Sequence, residues 1–267
     1  MAYQEIIFEK SDGIAVLTLN RPDNRNVITD KKIIGEIEDA CRNVNSDMTV
    51  KVMIIAAKDP AFSAGGNIKE MAEKKGMFGG TPAQLMENYR NNVQRIPLVV
   101  HDVAVPTIAA VNGPAIGAGC DLALMCDMRV ASEKAKFGET FLSVGLIPGD
   151  GGAYFLPRVV GMAKACELTF TGDVVDAKTA LEMGLVNYVV SHDDLLKRTR
   201  ELAQKIASKP AEALRMAKRL LYMGQDLTLR NLLEQSAAYQ SLCHHTEDHM
   251  EALSAMFEKR KPDFKGK

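Results

Sequence analysis

Two short glycine-rich stretches contain the residues of this chain best suited to chemistry. Phe62-Ser63-Ala64-Gly65-Gly66-Asn67 and Gly113-Pro114-Ala115-Ile116-Gly117-Ala118-Gly119 each follow an apolar run and each lead into a helical pattern. A turn of small residues at a helix start leaves backbone N–H groups unpaired and lets a ligand come close to the main chain. If the two turns converge, they make a two-donor oxyanion hole; if they do not, they are tight packing turns. Three carboxylates lie at or after the second turn: Asp121 at the start of its helix, Glu139 in FGETF and Asp150 in IPGDGG. Such groups move protons. Asp121 also suits a helix cap or dipole compensation, and Asp150 can cap the helix begun by GGAYFLPRVVG.

Other constellations carry less. Gly117-Ala118-Gly119 imitates a dinucleotide fingerprint, but the position three past Gly119 is Leu122 and not glycine, and no GxxxxGK[ST] phosphate loop occurs. His244, His245 and His249 include an i, i+4 pair, yet Glu247 and Asp248 beside them make a solvated helix face, so no metal site is expected. Cys120 has no sequence-visible histidine partner and reads as small core filler.

The elements that must position these residues follow from periodicity. QEIIFE (4–9) and IAVLTL (14–19), around Ser11-Asp12-Gly13, predict a β-hairpin. Thr29-Asp30 opens an amphipathic helix to about Asn45, and VKVMIIAA (50–57) is a buried strand. A helix is expected over roughly 81–102, then strands at PTIAAVNG (106–113) and MRVAS (128–132), with CDLALMCD helical between them. Alternating strands and helices mean an α/β architecture. Past about residue 195 the pattern becomes helix upon helix, including a segment that begins with Pro210 in its first turn. The chain therefore divides into a body over 1–198 and a helical region over 199–267, whose Leu and Met stripes serve the core and an oligomer interface.

Composition fits this reading. The chain has 267 residues, 46% hydrophobic and 25% charged, enough for one large core. Lys and Arg number 33 against 34 Asp and Glu, so no global field favours nucleic acid. The opening MAYQEIIFEKSDG has no apolar signal region, no run of 18 apolar residues spans a membrane, and the five scattered cysteines lack CxxC spacing. A cytoplasmic protein with reduced thiols is expected.

Across nearly its whole length the chain resembles the crotonase (enoyl-CoA hydratase and isomerase) superfamily. The matching stretches are TLNRPDNRNVIT, AFSAGGNIKEM, AVNGPAIGAGCDLALMCDMRVAS, KFG with VGLIPGDGG and LPRVVG, TGDVVDAKTALEMGLVNYVV, and FEKRKPDFKGK. The resemblance implies a crotonase-like spiral of ββα units with a helical C-terminal subdomain, assembled as a trimer or a dimer of trimers. It also implies an acyl-CoA thioester as ligand, with no cofactor beyond the CoA of the substrate. By motif register, the two amides that hold the thioester carbonyl fall at Ala64 and Ala118. The stretch Ala61, Ser63, Ala64, Gly65, Gly66, Asn67 and Ile68 is similar to the segment that cradles CoA. Arg25 resembles a basic position that reaches the CoA phosphates, and Lys259, Arg260 and Lys261 either add charge there or stay solvated.

The departures from the family are specific. Hydratases of the family use two glutamates; the first position is Asp121 here and the second, by register, is Phe141, a ring that cannot move protons. Asp150 stands one residue past a place where ring-opening relatives carry an aspartate, and Glu139 two residues before the missing glutamate. The leading expectation is an enoyl-CoA hydratase with Asp121 as acid or base and Glu139 or Asp150 as its partner. A single-carboxylate double-bond isomerase is the enzymatic alternative. A non-catalytic acyl-CoA-binding protein is the alternative of another class.

Overall fold

The structure is a computed structural model that describes residues 3–266; Met1, Ala2 and Lys267, the outermost residues of the opening segment and of the FEKRKPDFKGK tail, lie outside it. Strands β1 (Ile6–Ser11) and β2 (Ile14–Leu19) pair antiparallel as expected, turning through Asp12 and Gly13, both at positive φ. Helix α1 (Lys31–Ser46) starts at Asp30, whose carboxylate accepts the Lys32 N–H, and strand β3 (Val52–Ala57) returns parallel to β2. After the first glycine-rich loop come α2 (Ile68–Glu73), α3 (Pro82–Asn91) and α4 (Arg95–His101). Two ββα-like turns of the spiral follow: β4 (Thr107–Val111), β5 (Pro114–Ile116) and α5 (Ala118–Leu124), then β6 (Met128–Ser132), β7 (Lys136–Gly138) and α6 (Gly152–Val160). The body continues through α7 (Met162–Thr171), β8 (Val174–Asp176), α8 (Ala177–Glu182), β9 (Tyr188–Val190) and α9 (Leu195–Ala207). Helices α10 (Ala211–Met223), α11 (Leu229–His244) and α12 (Glu247–Glu258) end the chain.

The strands form a six-stranded sheet, in the order β1-β2-β3-β4-β6-β9, and a three-stranded sheet β5-β7-β8. Because strand side chains alternate, each central strand feeds two cores. Leu17, Leu19, Met53, Ile55, Ala109 and Val111 face α1 and the site helices, whereas Val16, Val52, Ile54, Ile108, Ala110 and Val130 pack under Leu195 and Ala203 of α9. Residue 199 thus falls inside a helix that seals the sheet, and the helices that stand off the body begin at α10.

The helix expected over 81–102 is two helices. Thr81 and Gln84 form a capping box that starts α3, and Asn92 leaves helical conformation at φ −126°, ψ −105°. Pro97, third residue of α4, has no N–H to offer and its ring would meet the Val93 carbonyl in a continuous helix, so the chain must restart there. Pro210 is the N-cap of α10 and not its first helical residue. No helix among the described residues is long and apolar enough to cross a membrane.

Candidate active site

The two glycine-rich loops are bonded to each other along their backbones. Ser63 N–H donates to the Pro114 carbonyl at 3.1 Å and Ile116 N–H to the Ser63 carbonyl at 3.0 Å, while Gly117 N–H reaches the Gly138 carbonyl at 2.8 Å. This contact requires glycine on both sides. A methyl group on Gly119 would lie 2.2 Å from the Ser63 carbonyl oxygen, and one on Gly65, at φ +75°, 2.5 Å from the Ile116 carbonyl oxygen and 2.9 Å from the Ala118 nitrogen. The buried Ser63 hydroxyl donates to the Asn26 carbonyl at 2.7 Å and accepts the Gly65 N–H, so it holds the loop and does not face a ligand.

Convergence of the loops selects different amides from the pair anticipated from motif register. Ala64 N–H donates to the Arg25 carbonyl at 2.9 Å and is spent there. Among the described residues no group accepts from the N–H of Gly66 or of Ala118, and both residues line one cavity of about 140 Å³. The correction from Ala64 to Gly66 is a matter of backbone direction, which residue type alone does not encode: both candidates are small and both adjoin Gly65. Asn67 caps α2, accepting from Lys69 N–H and Glu70 N–H, so its amide side chain is committed; Ile68 borders the cavity.

A more open cleft of about 460 Å³ is lined by Arg25, Pro60, Ala61, Ala64, Pro114 and Ile116. It shares Ala64 and Ile116 with the smaller cavity, so the two spaces meet at the glycine-rich loops. Arg25 is exposed at φ +58°, and among the described residues its guanidinium makes no ion pair. The turn that presents it depends on Asn26, a residue that the motif reading passed over. Buried and also at positive φ, Asn26 donates from Nδ2 to the carbonyls of Lys58 and Ala61 and accepts the Arg21 N–H. An asparagine beside a DN turn is the available sequence signal, since asparagine tolerates left-handed conformation better than most residues. In the tail, Arg260 is engaged by Glu251 and Glu258, which takes it out of the pool of free charges.

The three carboxylates are all buried but differ in position. Asp121 is 0% exposed and Glu139 1% exposed, and their carboxyls lie within reach of each other. They converge on the start of α6, where a methyl group on Gly152 would fall 2.4 Å from Asp121 Oδ1 and 2.8 Å from Glu139 Oε2. Burial first, and then the neighbouring Glu139 charge, holds the Asp121 carboxyl well above the usual carboxylate range. Burial raises Glu139 as well. Two carboxyls so close cannot both ionise cheaply, so the pair retains a proton.

Asp150 is the carboxylate that lines the cavity, together with Gly117 and Ala118. Burial and the Glu139 charge push its pKa up to about 6, and its Oδ1 has no partner. It does not cap α6, whose N-cap is Gly151. Phe141, at the register of the missing glutamate, also lines the cavity, together with Met71, Met77, Phe78 and Tyr89. Asp121 is fully buried and does not line this cavity. Among the described residues no cluster of His, Cys, Asp and Glu fits a metal ion, and Cys120 is buried with its thiol pushed well up by burial. His244 and His249 bond to each other at 3.1 Å on the exposed C-terminal helices.

The sequence and fold that carry this site are similar to those of known proteins. A family profile described as Enoyl-CoA hydratase/isomerase matches residues 9–267. A crotonyl-CoA hydratase of Syntrophomonas wolfei is 38% identical over 99% of both chains, and a 2,3-dehydroadipyl-CoA hydratase of Escherichia coli is 35% identical over 98% of this chain and 99% of its own. The crystal structure of an enoyl-CoA hydratase from Bacillus anthracis superposes with a TM-score of 0.92 at 33% identity, covering 99% of this chain and all of that one. With sequence and fold in agreement over nearly the full length, this chain belongs to the enoyl-CoA hydratase/isomerase family.

Proposed function

We propose that the protein hydrates 2-enoyl-CoA thioesters, with the acyl group in the 140 Å³ cavity and the CoA moiety along the cleft beside Arg25. The observation that carries this is that Asp150 lines the same cavity as Gly66 and Ala118, whose N–H groups have no acceptor among the described residues. Water addition at Cβ drives negative charge onto the thioester oxygen, and preorganised N–H donors aimed at that oxygen are worth about 3 to 4 kcal/mol each. Asp150, ionised above a pH of about 6, takes the proton of the adding water and returns one to Cα. The Asp121–Glu139 pair lies behind Asp150, and the Glu139 charge helps to keep the Asp150 pKa near neutrality.

A second reading is favoured by Phe141 on the cavity wall. With an aromatic ring where the family pattern places a second glutamate, one carboxylate can shuttle a proton between carbons and isomerise the double bond. Incubation with crotonyl-CoA and longer 2-enoyl-CoA esters in deuterated water, followed by mass spectrometry, separates the possibilities. A gain of water supports hydration, deuterium uptake without water supports isomerisation, and tight binding with neither marks a non-catalytic acyl-CoA-binding protein. The protein also functions in this reading as a homotrimer or dimer of trimers, supported by the apolar side chains left open on α10 to α12, among them Leu221, Leu229, Leu233, Met256 and Phe257. A reducing compartment such as the cytoplasm suits its five free cysteines.

A further inference from the structure

The cavity contains one more group capable of handling a proton. Tyr89, near the end of α3, lines it together with Asp150, and its phenol has no hydrogen-bond partner among the described residues. Its backbone is held at the helix break, and its ring passes close to the Gly149 backbone. The Tyr89 carbonyl accepts from both Asn92 N–H and Gln94 N–H where α3 breaks, and a methyl group on Gly149 would lie 3.9 Å from Tyr89 Cε1. Gln94 in turn donates from Nε2 to the Gly149 carbonyl at 2.9 Å, tying the helix break to the residue before Asp150.

We propose that Tyr89 positions the water that adds to the double bond, holding it between the phenol and the Asp150 carboxylate in the place left without a second glutamate. The inference rests on the hydratase reading and adds a residue to it. Hydration requires one group to take a proton from the water and another to fix the water against Cβ. Asp150 supplies the first; among the other polar side chains lining the cavity, the Thr29 hydroxyl is engaged by the Asn67 N–H and Thr140 is a short hydroxyl, whereas Tyr89 brings a long phenol close enough to Asp150 to feel its charge. Burial and the Asp150 charge both raise the Tyr89 pKa, so the phenol keeps its proton and serves as a donor to water and not as a base. With a saturated acyl-CoA, Asp150 can exchange the Cα proton through the enolate without adding water, so that exchange and hydration should part on loss of the water's anchor.

The test compares the wild type with Tyr89→Phe, following water addition to crotonyl-CoA and, separately, deuterium exchange at Cα of butyryl-CoA in deuterated water, with CoA-ester affinity by calorimetry. The expected result is a 10- to 100-fold fall in hydration kcat, Cα exchange within about twofold of wild type, and unchanged affinity. Hydration by Tyr89→Phe at the wild-type rate, or an equal fall in hydration and exchange, overturns the assignment. A wild type that hydrates no 2-enoyl-CoA overturns the hydratase reading itself, whatever the variant does. Tyr89→Leu, which also removes the ring, guards against mistaking loss of packing for loss of the donor: it should match Tyr89→Phe in the hydration-to-exchange ratio if the hydroxyl is the cause.

Discussion

Replacement of Gly119 by alanine tests the oxyanion geometry directly. The added methyl would stand 2.2 Å from the Ser63 carbonyl oxygen and 2.8 Å from the Ser63 carbonyl carbon, both backbone atoms that no rotamer change can move. An ordinary carbon–oxygen contact is at least about 3.3 Å, so the two loops must separate by roughly 1 Å. They are joined there by the Ser63–Pro114 and Ile116–Ser63 hydrogen bonds, and the shift is passed to the amides of Gly66 and Ala118 on either side. A displacement of that size at a reacting group costs on the order of 10²-fold in rate, and complete loss of one oxyanion donor costs about 10²- to 10³-fold. Gly119→Ala should therefore lower hydration kcat by about 10²- to 10³-fold, with a smaller change in CoA-ester affinity because the Arg25 cleft is untouched. Steady-state kinetics on crotonyl-CoA, with circular dichroism to establish folding, is the assay. A folded Gly119→Ala enzyme with wild-type kcat would refute the convergence of the two amides on the thioester oxygen.

The Asp150 carboxyl, raised to about 6, should give a hydration rate that climbs with pH to near that value and levels above it, since the base must be ionised; a kcat/KM profile checks this. The same shift makes ionised Asp150 a burden on the fold, because a raised carboxylate pKa favours the native state below the unfolded value of 3.8 and loses that contribution as pH rises through about 6. Asp150→Asn should thus abolish turnover while stabilising the protein at pH 8 by up to about 3 kcal/mol, measured by denaturant unfolding at pH 4 and pH 8. Lys218 of α10 is buried against Asp127 at 2.9 Å and also donates to the Val105 carbonyl, so Lys218→Met should destabilise by about 3 kcal/mol in the same assay. Phe257, 83% exposed on α12, and Leu233 on α11 should lie in subunit contacts; Phe257→Glu with Leu233→Glu should shift sedimentation toward the monomer without altering the fold.

What the sequence made legible was whatever depends on periodicity and punctuation. Asp12-Gly13 and the apolar runs of β3 and β4 placed the central sheet, and the two glycine-rich loops marked the meeting point of the site before any contact was visible. Three features were not legible because they depend on direction and reach. Ala64 and Gly66 differ in which carbonyl faces their N–H, Arg25 or none, and this is settled by the loop conformation around Gly65. The spacing from Ala118 points to Asp121, but its carboxyl is buried with Glu139 at the start of α6 while Asp150 lines the cavity. The break between α3 and α4 hides in a continuous polar pattern in which only Pro97 signals a restart, and that break is what sets Tyr89 beside Asp150.

The two-sided sheet has a consequence for how the chain is made. Every residue assigned here to the oxyanion pair, the carboxylates and the Arg25 turn lies before residue 153, whereas one apolar face of the central strands waits for Leu195 and Ala203 of α9. During synthesis from the N-terminus, Val16, Val52, Ile54, Ile108 and Val130 are translated well before their cover exists. A nascent chain stalled before α9 therefore presents a wide apolar surface of paired strands, the kind of surface that chaperones hold and that aggregates when they do not. Completion of α9, rather than assembly of the site, is the step that closes the second face of this sheet.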